Sequence, residues 1–361
     1  MTSTRPAPDP AGLPAGLPVA RLRGPGDIAA VVPSLLGFSP QQCLVVLVLG
    51  PPRRRIRLTM RVDLPAPDRD DHWAALSASL RPGFVQADGD AVALCVYSPE
   101  PAHLDAALRH LRPMCDEYGL ELVDALRVDG SRWFSGVCSD PQCCPPDGLP
   151  VPQDSAAVAA LVVEDGRLVR GSRAELRGEF TRPADAALDA QLARALLEVR
   201  PDVLRDPRRG LPVSEMAEQV DGALAALTFG GLRVEDAVRL AVLVGDGERR
   251  DAVYRHLVGG PDHVARVRAH RALWAAVCRL LGEEGSVIPL MLFALAAYLD
   301  GDGAAANLAL ERALGWDPDH PTVLLIGDVM AAAIPPRAVR AALADAVGAV
   351  PPCPPGDGGV C

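Results

Sequence analysis

The spacing of apolar positions changes once along the chain. From about residue 28 to residue 137, short apolar runs typical of strands alternate with stretches that have a helical period. From about residue 154 to residue 346, nearly every stretch has the helical period, and glycine or proline separates one stretch from the next. This pattern predicts an α+β chain: a mixed-sheet α/β domain at residues 21–153, followed by an all-helical domain at residues 154–347.

Three runs in the first half have the character of strands. Leu44–Leu49 is wholly apolar and rich in valine and leucine, which predicts a strand buried on both faces. Arg55–Asp63 alternates apolar with polar residues, which predicts a half-exposed strand, and Ala91–Tyr97 is a third strand candidate. Asp129-Gly130 stands between two further strand-like runs, so we expect a hairpin turn at this dipeptide.

Helix boundaries in the first half are marked by residues that favour helix ends. Asp27 is a favourable N-cap residue, so the first helix is expected to cover Ile28–Leu36 and to end before Gly37. Pro99–Tyr118 is predicted to form a later helix, with a kink at Pro113.

The two ends of the chain are rich in proline and glycine and have no apolar period. We expect residues 1–20 and 348–361 to be disordered tails. The N-terminal tail lacks the apolar stretch of a signal peptide, and the run Cys43–Leu49 is far shorter than the roughly 20 residues of a membrane span. These features predict a soluble cytoplasmic protein with no membrane association.

Residues 287–318 match the small and large positions of one tetratricopeptide repeat. The small positions are filled by alanine or glycine, the large position by leucine, and a proline ends the unit: Ala294, Gly301, Ala306, Leu310, Ala313 and Pro318. The frame does not continue on either side, so a single tetratricopeptide-like helix pair is expected. Such a pair forms a peptide-binding groove or completes the packing of the helical domain, and the isolated unit favours the second interpretation.

The charge composition excludes several classes of function. The chain has 36 basic and 46 acidic residues and a net charge of −10, and all of its basic residues are arginine. Without lysine, the protein has no Walker-A lysine, Schiff-base lysine or lysine general base of its own. The acidic balance argues against a nucleic-acid partner, since phosphate binding depends on basic side chains.

Three cysteines fall within seven positions, at Cys138, Cys143 and Cys144, in a proline-rich stretch after the predicted hairpin. As zinc ligands they fill three of four tetrahedral positions, so a metal bound weakly or not at all is expected. As a redox site they could form a disulfide, although only Arg132 is near enough in sequence to lower a thiol pKa. As a structural element they are small apolar side chains that fill the loop, which is the interpretation the sequence favours.

Several separated motifs occur together in a familiar order. They are Pro33–Pro40 followed by Cys43, Arg61-Val-Asp63-Leu64, Trp133 ahead of Cys138, Asp140–Gly148, and Asp302–Leu314. In these motifs the chain resembles the actinobacterial family called domain of unknown function 4192, over roughly Arg21 to Arg340. The resemblance implies a shared architecture and no known activity, so it assigns no catalytic residue. Phe134 departs from the pattern, where a small or polar residue is expected.

Two functions are consistent with these observations. The first is a cytoplasmic binding or regulatory protein that acts through protein interaction, with the helical domain as the docking element. The second is an enzyme, or a metal or redox protein, with its site near the Cys138–Cys144 loop and Arg61, Asp63 and Trp133 as neighbours. The sequence assigns no catalytic residue and no cofactor apart from zinc at Cys138, Cys143 and Cys144, and it does not fix the oligomeric state.

Overall fold

The chain forms a sheet-containing unit followed by a helical unit. A computed structural model describes residues 22–348, except 52, 156–157, 159–168, 206–211, 261 and 283–285. The chain divides into two compact units, Met1–Ser172 and Arg173–Cys361. The first carries a mixed six-stranded sheet and the second is helical, which confirms the predicted α+β class. The predicted tails at residues 1–20 and 348–361 lie outside the described residues, apart from Gly348.

The first unit begins with a helix and then alternates strands with helices. Its elements are α1 (Pro25–Leu36), β1 (Cys43–Gly50), β2 (Arg55–Asp63), α2 (Asp70–Gln86), β3 (Ala91–Tyr97), α3 (Pro101–Glu117), β4 (Glu121–Asp129), β5 (Arg132–Ser135) and β6 (Leu149–Pro150). The strand order is β2-β1-β3-β4-β5-β6. Only the β3–β4 pair is parallel, and α3 provides the long crossover that parallel neighbours need.

The two central strands are buried along their whole length. Every residue of β1 and of β3 is buried, which confirms the prediction made for Leu44–Leu49. Alternate residues of both strands meet the apolar faces of α2 and α3, where Trp73 and Leu111 are completely buried. The Trp73 indole Nε1 donates to the Ala66 carbonyl at 3.1 Å, so this large side chain is buried without an unpaired donor. β2 lies at one edge of the sheet, as expected for a half-exposed strand.

The predicted start of α1 is wrong by three residues. The helix begins at Pro25 with Gly24 as its N-cap, because proline has no N–H to leave unpaired in a first turn. Asp27 therefore lies inside the first turn, where one carboxylate oxygen accepts from the backbone N–H of Arg23 at 2.9 Å. The other carboxylate oxygen accepts from the Ser155 hydroxyl at 3.0 Å.

The second unit is built from helices and short 3₁₀ turns. Its helices are α4 (Arg173–Arg177), α5 (Ala186–Arg205), α6 (Met216–Phe229), α7 (Val234–Leu243), α8 (Gly247–Val258), α9 (His263–Leu281), α10 (Val287–Leu299), α11 (Gly303–Trp316), α12 (Pro321–Ala331) and α13 (Pro336–Ala346). The 3₁₀ turns are Gly178–Phe180 and Val213–Glu215. No helix among the described residues of either unit is long and apolar enough to cross a membrane.

A buried ionic cluster joins the 3₁₀ turn, α9 and the turn between α10 and α11. The Arg271 guanidinium lies 2.8 Å from Asp302, 3.3 Å from Asp300 and 3.1 Å from Glu179. Burial alone lowers the pKa of Arg271, but the neighbouring carboxylates outweigh this effect and raise it. Asp302 also caps α11 by accepting from the Ala305 N–H at 2.9 Å. The cluster holds the α10–α11 turn in one conformation.

Helices α10 and α11 form the pair predicted to be tetratricopeptide-like. Ala294, Ala306 and Ala313 are fully buried, whereas Asn307 and Glu311 are exposed. Glu311 forms an ion pair with Arg173 at the start of the unit. The small side chains let the two helices approach closely, and the likeness to a tetratricopeptide unit stays a prediction.

Two buried histidines form a directed hydrogen-bond chain in the same unit. The Trp274 indole Nε1 donates to His270 Nδ1 at 3.3 Å, so His270 carries its proton on Nε2. His270 Nε2 then donates to His256 Nδ1 at 2.8 Å, and His256 Nε2 donates to the Asp221 carboxylate at 3.0 Å. Each nitrogen has one partner when both rings are neutral, and this tautomer assignment follows from the network. The rings lie on different helices, α8 and α9, so the spacing of histidines along the sequence does not reveal their pairing.

We expect Ala306→Leu to destabilise the protein, because a larger side chain must push α11 away from its neighbour. Overpacking of this kind costs about 1–3 kcal/mol. Asn307→Ala changes an exposed position of the same helix and should stay within about 0.5 kcal/mol. Urea unfolding of both variants measures the difference. An Ala306→Leu variant as stable as Asn307→Ala would show that the contact is not crowded.

We expect the stability of the protein to fall in mild acid through the histidine pair. Burial, the neighbouring His256 and Arg266 lower the pKa of His270 to about 3, and burial lowers that of His256 despite the Asp221 carboxylate. The unfolded chain therefore binds more protons than the folded chain below about pH 6.5. The stabilisation is complete above that pH and is lost progressively toward pH 3.

The measurement is urea unfolding at pH 7.5 and pH 5 for the natural protein and His270→Gln. At one pKa unit per 1.36 kcal/mol, His270 alone accounts for a loss of about 2 kcal/mol between pH 6.5 and pH 5. His270→Gln should lose less stability between the two pH values. Other titrating groups contribute equally to the pH dependence of the natural protein and of His270→Gln, so the comparison removes their contribution. One such group is Asp124, whose pKa is raised to about 6 by burial. His72→Gln, at an exposed histidine, should behave like the natural protein; equal pH dependence in all three would contradict the prediction.

Candidate functional site

The three-cysteine loop, defined as residues 136–148, is an excursion between two paired strands. β5 enters it and β6 leaves it, with Arg132 opposite Pro150 and Trp133 opposite Leu149. The Arg132 guanidinium donates to the carbonyls of Asp147 and Gly148, each at 2.6 Å. These contacts close the base of the loop, so its two ends lie on neighbouring strands of the sheet.

The aromatic ring of Phe134 packs against the base of the loop. Gly148 has φ +70°, and a Cβ there would lie 2.7 Å from the Phe134 ring, so this position favours glycine on both grounds. Phe134 in turn stacks beneath the Arg127 guanidinium, which is 3.7 Å from the ring centroid. The residue that departs from the family pattern therefore packs against the glycine that ends the loop.

Tight turns bring the end of the loop back toward its beginning. The Ser135 hydroxyl accepts from the backbone N–H of Val137 and of Cys138, at 3.2 and 3.0 Å. The Asp140 carbonyl accepts from the N–H of Cys143 and of Cys144, at 3.1 and 2.7 Å. The Asp140 carboxylate also accepts from the Gln142 N–H at 2.9 Å, an Asx turn that reverses the chain.

These turns bring the three predicted ligand residues together. The sulfur atoms of Cys138, Cys143 and Cys144 all lie within 4.8 Å of one another, and those of Cys143 and Cys144 are 3.9 Å apart. Cys143 is exposed and the other two are half-buried. None is in the hydrophobic core, so the burial does not support the interpretation of the cysteines as apolar filling. Among the described residues, no histidine, acidic residue or further cysteine joins the group.

Two of the three thiols, Cys138 and Cys144, differ in acidity. The backbone N–H of Asp140 donates to the Cys138 sulfur, and this bond together with the Cys144 thiol lowers the pKa of Cys138. Burial and the two neighbouring sulfurs raise the pKa of Cys144 to about 12. Arg132, which the sequence suggests as the source of a low thiol pKa, is bound to carbonyls at the loop base instead. Of these two thiols, Cys138 is therefore the more acidic.

Two of the three residues expected to neighbour the three-cysteine loop, Arg61 and Asp63, lie far from it. Arg61 and Asp63 lie on β2 and pair with each other at 2.6 Å. Strands β1, β3 and β4 separate β2 from β5, which is about 19 Å at roughly 4.8 Å per strand. Trp133, on β5, does border the loop. The sequence does not reveal the order of strands in a sheet, so it could not place Arg61 and Asp63 correctly.

The other described cysteines have a different environment. Cys43, Cys95, Cys115 and Cys278 are buried, and burial raises the pKa of Cys115 to about 11 and that of Cys278 to about 12. Buried thiols of this kind are inert.

The sequence did not single out Ser135 and Asp140, whose polar atoms shape the three-cysteine loop. The pair Asp140-Pro141 is the sequence signal that could have indicated the turn.

Comparison with known proteins places this architecture in a family. No curated protein and no solved structure matches the chain significantly. Residues 25–337 match the model of a family described as Domain of unknown function (DUF4192). The matched range contains the whole sheet, the three-cysteine loop and the α10–α11 pair. Because the match extends over most of its length, the chain belongs to the DUF4192 family.

Proposed function

We propose that the protein is a zinc-binding protein whose three-cysteine loop holds one zinc ion through Cys138, Cys143 and Cys144. The observation that carries this proposal is the convergence of three sulfur atoms within 4.8 Å of one another. It is the second of the two functions consistent with the sequence, narrowed to a metal site.

The spacing of the sulfur atoms fits a tetrahedral metal. Zinc–sulfur bonds of about 2.3 Å place two thiolates of a tetrahedral site about 3.8 Å apart. Cys143 and Cys144 are 3.9 Å apart, and Cys138 lies within a small side-chain adjustment of the same spacing. Soft thiolate ligands favour zinc over magnesium or calcium, which prefer oxygen.

The thiol acidities support a cation at the same place. With no cation, Cys138 ionises before Cys144, since the pKa of Cys138 is lowered and that of Cys144 is raised to about 12. A divalent ion reverses this repulsion, because each thiolate is then attracted to the metal more strongly than it is repelled by its neighbours. Metal binding releases the thiol protons, so zinc affinity should increase with pH.

The number of ligands makes the site an open one. The described residues supply three, so the fourth position is left for water or for a side chain of a partner. An open site exchanges its metal more readily than a closed four-cysteine site. The thiolates need a reducing compartment, and the cytoplasm meets that need.

A second candidate function is protein interaction through the helical unit. Several large apolar side chains of this unit are exposed, with Phe229 88%, Leu197 76% and Leu325 60% accessible. Exposed apolar side chains of this size are common at protein-binding surfaces. A partner that supplied the fourth zinc ligand would make the two functions parts of one role.

We expect the reduced protein to bind one equivalent of zinc in competition with a chromophoric zinc chelator. Cys138→Ser and Cys143→Ser should each weaken binding at least about tenfold, because a hydroxyl is a poor replacement for a thiolate. Gln142→Ser changes the same exposed turn without removing a thiol and should bind like the natural protein.

Two results would contradict the proposal. One is an absence of zinc uptake by fully reduced protein at pH 8, because zinc affinity should increase with pH. The other is equal affinity in Cys143→Ser and the natural protein. Disappearance of two free thiols under mild peroxide, in a protein that takes up no zinc, would favour the redox function instead.

A further inference from the structure

A cavity of about 260 Å³ lies in the helical unit, where the start of α9, the end of α10 and the start of α13 meet. Three arginines line it, Arg268, Arg337 and Arg340. Val267 and Leu299 provide an apolar wall. The volume lies just below the range of about 300–1,000 Å³ that is usual for ligand sites, so it suits a small molecule rather than a nucleotide cofactor.

The arginines of this cavity are not fully neutralised. Arg268 pairs with Asp300 at 3.1 Å. Arg337 and Arg340 form no ion pair with any residue that the structure describes. By contrast, Arg279 and Arg312 of the same unit donate to the backbone carbonyls of Glu179 and Phe180, at 2.6 and 3.1 Å.

Two further features favour an anion in the cavity. Helices α9 and α13 both begin at its wall, and the first turn of a helix carries partial positive charge. A guanidinium presents two parallel N–H groups that match the two oxygens of a carboxylate. Arg268 is paired with Asp300, whereas Arg337 and Arg340 have no ion pair among the described residues. These two arginines therefore give the cavity a net attraction for negative charge.

The other wall residues restrict which anion fits. Asp300 also lines the cavity, where its charge is already shared by Arg268 and Arg271, so a doubly charged phosphate would meet a carboxylate. A single negative charge avoids most of this repulsion. The apolar wall of Val267 and Leu299 would cover a hydrocarbon chain and remove it from water.

We propose that this cavity binds a small monocarboxylate with a short apolar chain, its carboxylate at Arg337 and Arg340 and its chain against Val267 and Leu299. All of these residues belong to the helical unit, so the proposal does not depend on zinc at the three-cysteine loop.

The test is isothermal titration calorimetry of the full chain with hexanoate. We expect saturable binding of one hexanoate per chain, and no binding of hexylamine, which has the same chain length with the opposite charge. Arg340→Gln and Arg337→Gln should each weaken binding at least about tenfold, as expected for the loss of a charge-assisted hydrogen bond. Arg194→Gln, at an exposed arginine of α5, should bind like the natural protein.

Arg337 is exposed, so its substitution leaves the fold intact and keeps the test decisive even where Arg340→Gln unfolds. Three outcomes would overturn the proposal: no saturable hexanoate binding at millimolar concentration, equal affinity in Arg337→Gln, or tighter binding of inorganic phosphate than of hexanoate. The third would show an anion site of another class.

Discussion

The complete burial of two adjacent strands determines where everything else in the first unit lies. β1 and β3 are apolar on both faces, so they occupy the middle of the sheet and need cover on each side. Polar strand β2 is then confined to one edge, and β4, reached by the crossover helix α3, extends the sheet the other way. The hairpin after β4 adds β5 at that second side. The three-cysteine loop therefore lies at the opposite side of the sheet from the arginine-rich strand β2.

In the first unit, two buried apolar strands determine where the other elements lie. In the helical unit, a cluster of buried charges fixes the position of neighbouring elements. Asp300 and Asp302 are almost completely buried, which is unfavourable for carboxylates unless cations accompany them. Arg271 supplies that compensation and joins the α10–α11 turn to the 3₁₀ turn through Glu179. Because Asp300 also lines the cavity, the same compensation determines how much negative charge the cavity accepts. The structural cluster and the proposed ligand site are thus electrostatically coupled.

The sequence predicts elements better than it predicts their neighbours. Leu44–Leu49, the Asp129-Gly130 hairpin and the helical second half are set by local period and turn chemistry, and the structure confirms them. Strand order and helix packing depend on distant contacts, so the separation of Arg61 from the loop was not predictable. The same holds for the pairing of His256 with His270, which lie on different helices. Local propensity also misplaced the start of α1, because Pro25 starts the helix before Asp27.

The candidate metal site was partly predictable for a related reason. Three cysteines within seven positions are a sequence signal, but their convergence depends on backbone carbonyls and one Asx turn, which no side-chain pattern records. The Asp140 amide, acting on the Cys138 sulfur, is likewise a property of conformation rather than of composition. It favours the Cys138 thiolate, whereas burial and the neighbouring sulfurs raise the pKa of Cys144. A divalent cation would stabilise both groups as thiolates. A chain with a net charge of −10 adds a general attraction for such a cation, so the local and the overall electrostatics of this protein favour the same occupant.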